Sequence, residues 1–174
     1  MAESHGKTLY LMRHAKAKRA TPGDDDQARP LIRRGRDAAE RMATWFRGRN
    51  AAVATVLCSP SVRTRETLEL ILPSLGRPET EFDARLYGAS PATLIALIAR
   101  LPAATESAMV VGHNPGIEEL ALSLAGHGPA RLIARMREKF PTCALAVFTA
   151  PVGEWSAFGD SCRIEEFIRP ADLE

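Results

Sequence analysis

Four stretches of the chain are dominated by Val, Leu, Ile, Met and small apolar residues, at 8–12, 53–58, 108–112 and 143–149, and a less continuous one covers 163–168. Runs of this length and continuity suit strands that are covered on both faces. Between them the pattern changes to a helical period. Residues 35–47 put Ala38, Ala39, Met42, Trp45 and Phe46 on one face and leave arginines and acids on the other. Residues 60–72 do the same with Val62, Leu68, Ile71 and Leu72. Ser90-Pro91 opens a third helix over 91–100, and a fourth covers 115–125. The alternation predicts an α/β fold, a three-layer α/β/α arrangement with a largely parallel central sheet. No internal repeat interrupts it, and the length suits a single domain over 1–174.

The ends of three of these runs carry the chemistry. The first leads into Arg13-His14-Ala15, the second into Ser59-Pro60-Ser61-Val62-Arg63, and the third into His113-Asn114-Pro115-Gly116. Ligands of open α/β sheets bind beyond the carboxyl ends of the strands. Arg13, His14, Arg63 and His113 are therefore expected on one rim. Ser59-Pro60 and Asn114-Pro115 read as helix caps followed by first-turn prolines, which puts Arg63 in a first turn and points two helix N-termini at one anion. Guanidinium forks bind phosphoryl oxygens bidentately at any working pH. A neutral histidine attacks phosphorus through one nitrogen when an acceptor holds the other. His14 is placed for that attack and His113 for donation to a phosphate oxygen.

Composition narrows the field more than it selects. The formal charge is only +2, and all but four of the 23 basic residues are arginine, so position alone distinguishes a functional arginine. The basic residues are scattered and aromatics are few, which gives nucleic-acid binding no footprint. No segment approaches the roughly eighteen apolar residues of a membrane span, and Met1 to Lys7 lacks the apolar stretch of a secretory signal. A cytoplasmic protein is expected. Cys58, Cys143 and Cys162 are odd in number and too widely spaced for a zinc or redox motif, consistent with a reducing compartment. No metal and no cofactor are expected, because the two strand-end histidines lack clustered carboxylates. His5 and His127 are given no role. Ala20 to Arg29, with Pro22-Gly23 and Asp24-Asp25-Asp26, reads first as a solvated turn and second as a rim that helps select substrate.

Taken together and in order, these motifs resemble the histidine phosphatase, or phosphoglycerate mutase-like, superfamily over nearly the whole chain. Arg13-His14-Ala15 is similar to its Arg-His-Gly signature, Ser59-Pro60-x-x-Arg63-Thr64-x-x-Thr67 to its second arginine motif, and Val111-Gly112-His113-Asn114-Pro115 to its third. The resemblance implies a phosphoglycerate mutase-like fold, His14 as the nucleophile that becomes phosphorylated, and Arg13, Arg63 and His113 as the phosphate pocket. Arg29-Pro30-Leu31 followed by Gly35, the brief chain and the ending Phe167-Ile168-Arg169-Pro170 look like the short SixA-type branch of phosphohistidine phosphatases, with Arg29 as a further substrate contact. Two residues depart from the pattern. Ala15 replaces glycine, which is tolerated where no positive φ is needed. Ile32 stands where the family often has a capping Thr or Ser, a loss of about 1 kcal/mol.

The substrate class turns on a proton. Superfamily members that cleave esters usually carry an acidic residue after the second helix, because an alkoxide leaves poorly unless protonated. The comparable stretch, Phe82 to Gly88, offers Asp83 as the candidate acid and no clear match. Imidazole leaves more readily. The resulting expectation is a metal-independent phosphatase that takes phosphate from a phosphohistidine protein and releases it as inorganic phosphate. The alternatives are a phosphatase for small phosphate monoesters and a non-catalytic phosphate-binding or scaffold module.

Overall fold

A computed structural model describes residues 6–126 and 128–174, so His5 and His127 lie outside the described residues. Six strands, β1 (Lys7–Arg13), β2 (Thr55–Cys58), β3 (Glu79–Phe82), β4 (Ser107–Gly112), β5 (Leu145–Ala150) and β6 (Arg163–Ile168), form one sheet in the order β3-β2-β4-β1-β5-β6. Only β5 runs against the others, pairing antiparallel with both β1 and β6. The helices are α1 (Arg33–Arg49), α2 (Val62–Ile71), α3 (Pro91–Ala99), α4 (Gly116–Leu124), α5 (Ala130–Glu138) and the single turn α6 (Phe158–Ser161).

Alternation along the buried strands sorts the core into two halves. Leu9 and Leu11 of β1 join Val110 and Phe148 on the face covered by α3, α4 and α5, through Leu94, Ile117, Leu120, Leu132 and Met136. Tyr10 and Met12 join Val56, Met109, Val111 and Val147 on the face covered by α1 and α2, through Met42, Phe46, Leu68 and Ile71. This is the three-layer arrangement that the pattern implies. No helix among the described residues is long and apolar enough to cross a membrane.

Two local features set the geometry beyond β1. The segment after His14 pairs back on the approach to α1, with Ile32 N donating to the Lys16 carbonyl at 3.0 Å and Lys18 N to the Pro30 carbonyl at 2.8 Å. Gly35 permits this, because a Cβ there would sit 2.1 Å from the Lys16 oxygen. Ile32 occupies the N-cap of α1 without a side-chain cap, as its apolar side chain dictates. The neighbouring Leu31 amide is instead met by the Glu66 carboxylate at 2.7 Å.

Candidate active site

β2, β4 and β1 are neighbours in parallel register, with Arg13 opposite Gly112 and Cys58 opposite Val111. Their carboxyl ends therefore lie side by side. Arg13, His14, Arg63 and His113 line one open cavity of about 620 Å3, together with Arg29, Asp26, Tyr87 and Asn114.

His14 is clamped from several directions. Its amide donates to the Gly112 carbonyl at 3.0 Å, and its carbonyl accepts from the Cys143 amide at 2.9 Å. The Ala15 amide donates to Thr67 Oγ1 at 2.9 Å, and that hydroxyl donates to the Arg63 carbonyl at 2.6 Å. Thr67 thus ties α2 to the loop that carries His14, a role its place in the second motif did not reveal. Ala15 is not among the residues with positive φ, so the missing glycine costs no strain. The ring's Nδ1 lies 2.7 Å from the Ala15 carbonyl. A carbonyl only accepts, so Nδ1 carries the proton and Nε2 keeps its lone pair. Burial pushes His14 down to about 3, and His113, Arg63 and Arg13 push the same way against the Ala15 hydrogen bond.

Arg63 is the second residue of α2, inside the first turn as expected, but the N-cap is Ser61 rather than Ser59. Ser59 Oγ lies 2.7 Å from His113 Nε2 instead. Asn114 is likewise not a cap. Pro115 precedes Gly116 at the start of α4, the Asn114-Pro115 peptide is cis, and Asn114 Nδ2 donates to Glu118 at 3.0 Å and to the Phe140 carbonyl at 3.2 Å. The His113 ring centroid stands 5.3 Å from that of His14, and its Nδ1 lies 3.3 Å from Arg63 Nη2. Burial, then Arg63, lowers His113 to about 4. Arg13 donates Nη1 to the Phe140 carbonyl at 2.9 Å, and burial lowers it from its ordinary value.

The carboxylate in the cavity is Asp26, which the polar run Asp24-Asp25-Asp26 concealed. Asp24 and Asp25 behave as turn residues, bonding Thr21 and the Gln27 amide. Asp26 turns inward. Arg63 Nη2 donates to its Oδ2 at 3.0 Å and Nη1 to its carbonyl at 2.7 Å; Tyr87 Oη donates to Oδ2, and Arg29 Nε to Oδ1 at 3.0 Å. The Tyr87 hydroxyl, with Arg29 and Arg63, holds Asp26 well below the usual carboxylate range despite the opposing desolvation. Through Ala20, Asp26 and Arg29 the loop lines the cavity, while Asp24 and Asp25 keep the solvated turn of the first reading. Arg29 joins the cavity as expected, with Nη1 also donating to the Lys18 carbonyl at 2.6 Å.

Asp83 does not come to the site. It caps the short 3-10 turn Ala84–Leu86 and is gripped by Arg85, with Nη2 to Oδ2 at 2.6 Å. It lines a separate crevice beside Glu81 and Arg100. The expectation of a candidate acid there fails because the local arginine satisfies the carboxylate. Among the described residues no three His, Cys, Asp or Glu side chains cluster as a metal site requires. The three cysteines are buried and free.

The low values of His14 and His113 give a signed pH expectation. Both rings stay neutral in the folded protein as the pH falls from 7 to 5, whereas in the unfolded chain they begin to take up protons near 6.5. The unfolded state then binds more protons, so stability falls as the pH is lowered across this window, by on the order of 3–4 kcal/mol for the two rings between pH 7 and pH 5. Urea unfolding at the two pH values checks this. An unchanged midpoint would show that the rings are not held neutral.

The profile of the histidine phosphatase superfamily (branch 1) matches residues 9–89. Rv1276c of Mycobacterium tuberculosis, an uncharacterized protein, is 38% identical over 154 residues, covering 87% of this chain and 94% of that one. Among solved structures, a SixA-type protein of Nakamurella multipartita superimposes with a TM-score of 0.83 at 28% identity, over 95% of this chain and 96% of that one. The protein histidine phosphatase SixA complexed with tungstate gives 0.72 at 27% identity, over 96% and 99%. A phosphoglycerate mutase of Plasmodium falciparum, 16% identical with a TM-score of 0.62 over 93% and 90%, shares the fold alone.

Proposed function

This chain belongs to the histidine phosphatase superfamily, in its SixA-type branch, and we propose that it is a metal-independent phosphatase that hydrolyses protein phosphohistidine through a phosphorylated His14. The observation that carries the covalent step is the His14 ring itself, neutral, with Nδ1 donating to the Ala15 carbonyl and Nε2 unprotonated, in a cavity shared with Arg13, Arg63 and His113. In the first step a bond forms between His14 Nε2 and phosphorus as the substrate's P–N bond breaks. Arg13 and Arg63 neutralise the equatorial oxygens, and His113, with Nδ1 facing Arg63 Nη2 and Nε2 meeting Ser59 Oγ, holds Arg63 in place and donates to phosphate only by exchanging the Ser59 contact. In the second step water displaces Nε2 from phosphorus, releasing inorganic phosphate and regenerating the imidazole.

The choice of a phosphoramidate over an ester rests on Asp26. It is the carboxylate that lines the cavity, and three donors hold it ionised. An ionised carboxylate accepts hydrogen bonds and has no proton to give an alkoxide. Phosphohistidine needs none, since its imidazole leaves as a neutral ring when the far nitrogen is already protonated. The charge of Arg13, Arg29 and Arg63 around the cavity, which repels a divalent cation, supports a metal-independent reaction. The name of the tungstate-bound neighbour, a protein histidine phosphatase, supports the same substrate class. A cytoplasmic, reducing setting fits three buried free thiols, and a role in signalling rests on the phosphohistidine reading alone.

Turnover is expected to rise steeply as the leaving group becomes less basic. Phosphohistidine and activated aryl phosphates should react far faster than sugar phosphates. Asp83→Asn should leave phosphohistidine hydrolysis unchanged, whereas loss of a working acid would typically cost about two to four orders of magnitude. A panel of P–N and P–O substrates with wild type and this variant decides it. Sugar-phosphate hydrolysis as efficient as that of phosphohistidine would make the small-ester phosphatase the correct reading, and its collapse in Asp83→Asn would in addition restore Asp83 as the acid.

A further inference from the structure

A second cavity, of about 530 Å3, opens beside the first and shares Arg13, Lys16 and Thr142 with it. Its walls come from three places. Arg34, Ala38 and Arg41 lie at i, i+4 and i+7 on α1, one face of the helix, and the small Ala38 leaves room between the two guanidiniums. Lys139, Pro141 and Thr142 come from the connection between α5 and β5, and Arg169 to Ala171 follow β6. Six cations, Arg13, Lys16, Arg34, Arg41, Lys139 and Arg169, face one lining carboxylate, Glu174.

Existing partners do not satisfy this charge. Arg41 Nη2 is 4.0 Å from Glu174, and Arg169 is 3.7 Å from Glu138 and 3.5 Å from Asp172, all longer than a charge-assisted hydrogen bond. The Nε atoms of Arg13, Arg41 and Arg169 are each buried without a hydrogen-bond partner. Lys16, Arg34 and Lys139 form no salt bridge with any described residue. Guanidiniums crowded in one cavity repel one another, so an arrangement like this is relieved when an anion enters.

We propose that this cavity is a docking subsite for carboxylate side chains that flank the phosphorylated histidine of a protein substrate. The inference rests on the phosphohistidine reading of the adjoining site. Continuity through Arg13, Lys16 and Thr142 places the phosphoryl group in one cavity and neighbouring side chains in the other. Each cavity alone is the size of a small-ligand pocket, so the pair suits an extended acidic segment better than one compact phosphate compound. Paired charges of this kind act on encounter and affinity, so the subsite lowers KM and leaves kcat alone.

The test uses two phosphohistidine peptides of equal length, one with Asp and Glu beside the phosphohistidine and one with Asn and Gln, and phosphoramidate as a minimal P–N substrate. Wild type should show about a tenfold higher kcat/KM on the acidic peptide, through KM, with the advantage shrinking as salt rises. The double variant R34Q/R41Q should lose that preference while its phosphoramidate turnover, which also reports correct folding, stays at the wild-type level. Equal wild-type rates on the two peptides would overturn the subsite, as would equal losses on all three substrates in the variant. Preference for a small bisphosphate over both peptides would overturn it too, since the second anion would then be another phosphate. If wild type cleaves esters but neither peptide nor phosphoramidate, the phosphohistidine reading itself falls, and the subsite with it.

Discussion

Replacing His14 by alanine should abolish turnover, by about four orders of magnitude or more, and should abolish the covalent intermediate with it. The expectation is specific to this side chain. Removing a group that only binds phosphate weakens the transition state but leaves a route through the intermediate, whereas removing Nε2 removes the atom to which phosphorus is transferred. Wild-type protein quenched with denaturant at alkaline pH during turnover should carry an acid-labile, alkali-stable phosphate on His14. The alanine variant should carry none while keeping its fold, because the backbone clamps to Gly112, Cys143 and Thr67 involve no atom of the imidazole. Full activity without His14 would end the nucleophile assignment. A wild-type protein that binds phosphate tightly but never becomes labelled would instead be the scaffold module.

The parts of this site that sequence pattern reveals are those delivered by buried strands. Arg13, His14, Arg63 and His113 each follow an apolar run, and in a parallel sheet the ends of such runs share an edge. That logic needs only the order of segments. It gives no access to groups brought in by polar loops, where composition is the same for a solvated turn and a buried contact. Asp26 is the clearest case, since Asp24 and Asp25 beside it remain in turn hydrogen bonds while Asp26 alone reaches Arg63 and Tyr87. Asp83 fails in the opposite direction. Its position after α2 invites a catalytic role, and only the three-dimensional contact with Arg85 two residues away removes it.

The fold shows the same division. Strands β1, β4 and β5 and helices α1 and α3 follow apolar patterns strong enough to locate within a few residues. β3 carries the sequence Glu-Thr-Glu-Phe, is exposed at all four positions and survives at the sheet's edge by pairing with β2, so no burial pattern marks it. α5 buries only Leu132 and Met136, too narrow a seam to stand out among its arginines. The reversal of β5 has no local signature, because a strand covered on both faces reads alike in either direction. Ser59 shows how a motif residue can be noticed for the wrong reason: its type suits a helix cap, but its hydroxyl is spent on His113.

Single substitutions of Arg13, Arg63 or His113 should each lower kcat/KM by about two to three orders of magnitude, and combinations should lose less than the product of the singles. The reason is that the three groups disperse one charge and position one another. Arg63 Nη2 stands 3.3 Å from His113 Nδ1, Arg63 is anchored by Asp26, and Arg13 helps hold both histidines neutral by its own charge. Losing one member therefore displaces the others, and a second loss finds part of the damage already done. Asp26 holds Arg63 through both its carboxylate and its carbonyl, and because phosphate and vanadate bind where the substrate's phosphoryl group binds, both should inhibit competitively and Arg63→Ala should weaken both together. A chelator should leave turnover untouched, since fixed guanidiniums supply the charge that a divalent ion would otherwise bring. Strictly multiplicative losses would show three independent contacts in place of one cradle, and activity lost to a chelator and restored by a divalent cation would refute the metal-free mechanism outright.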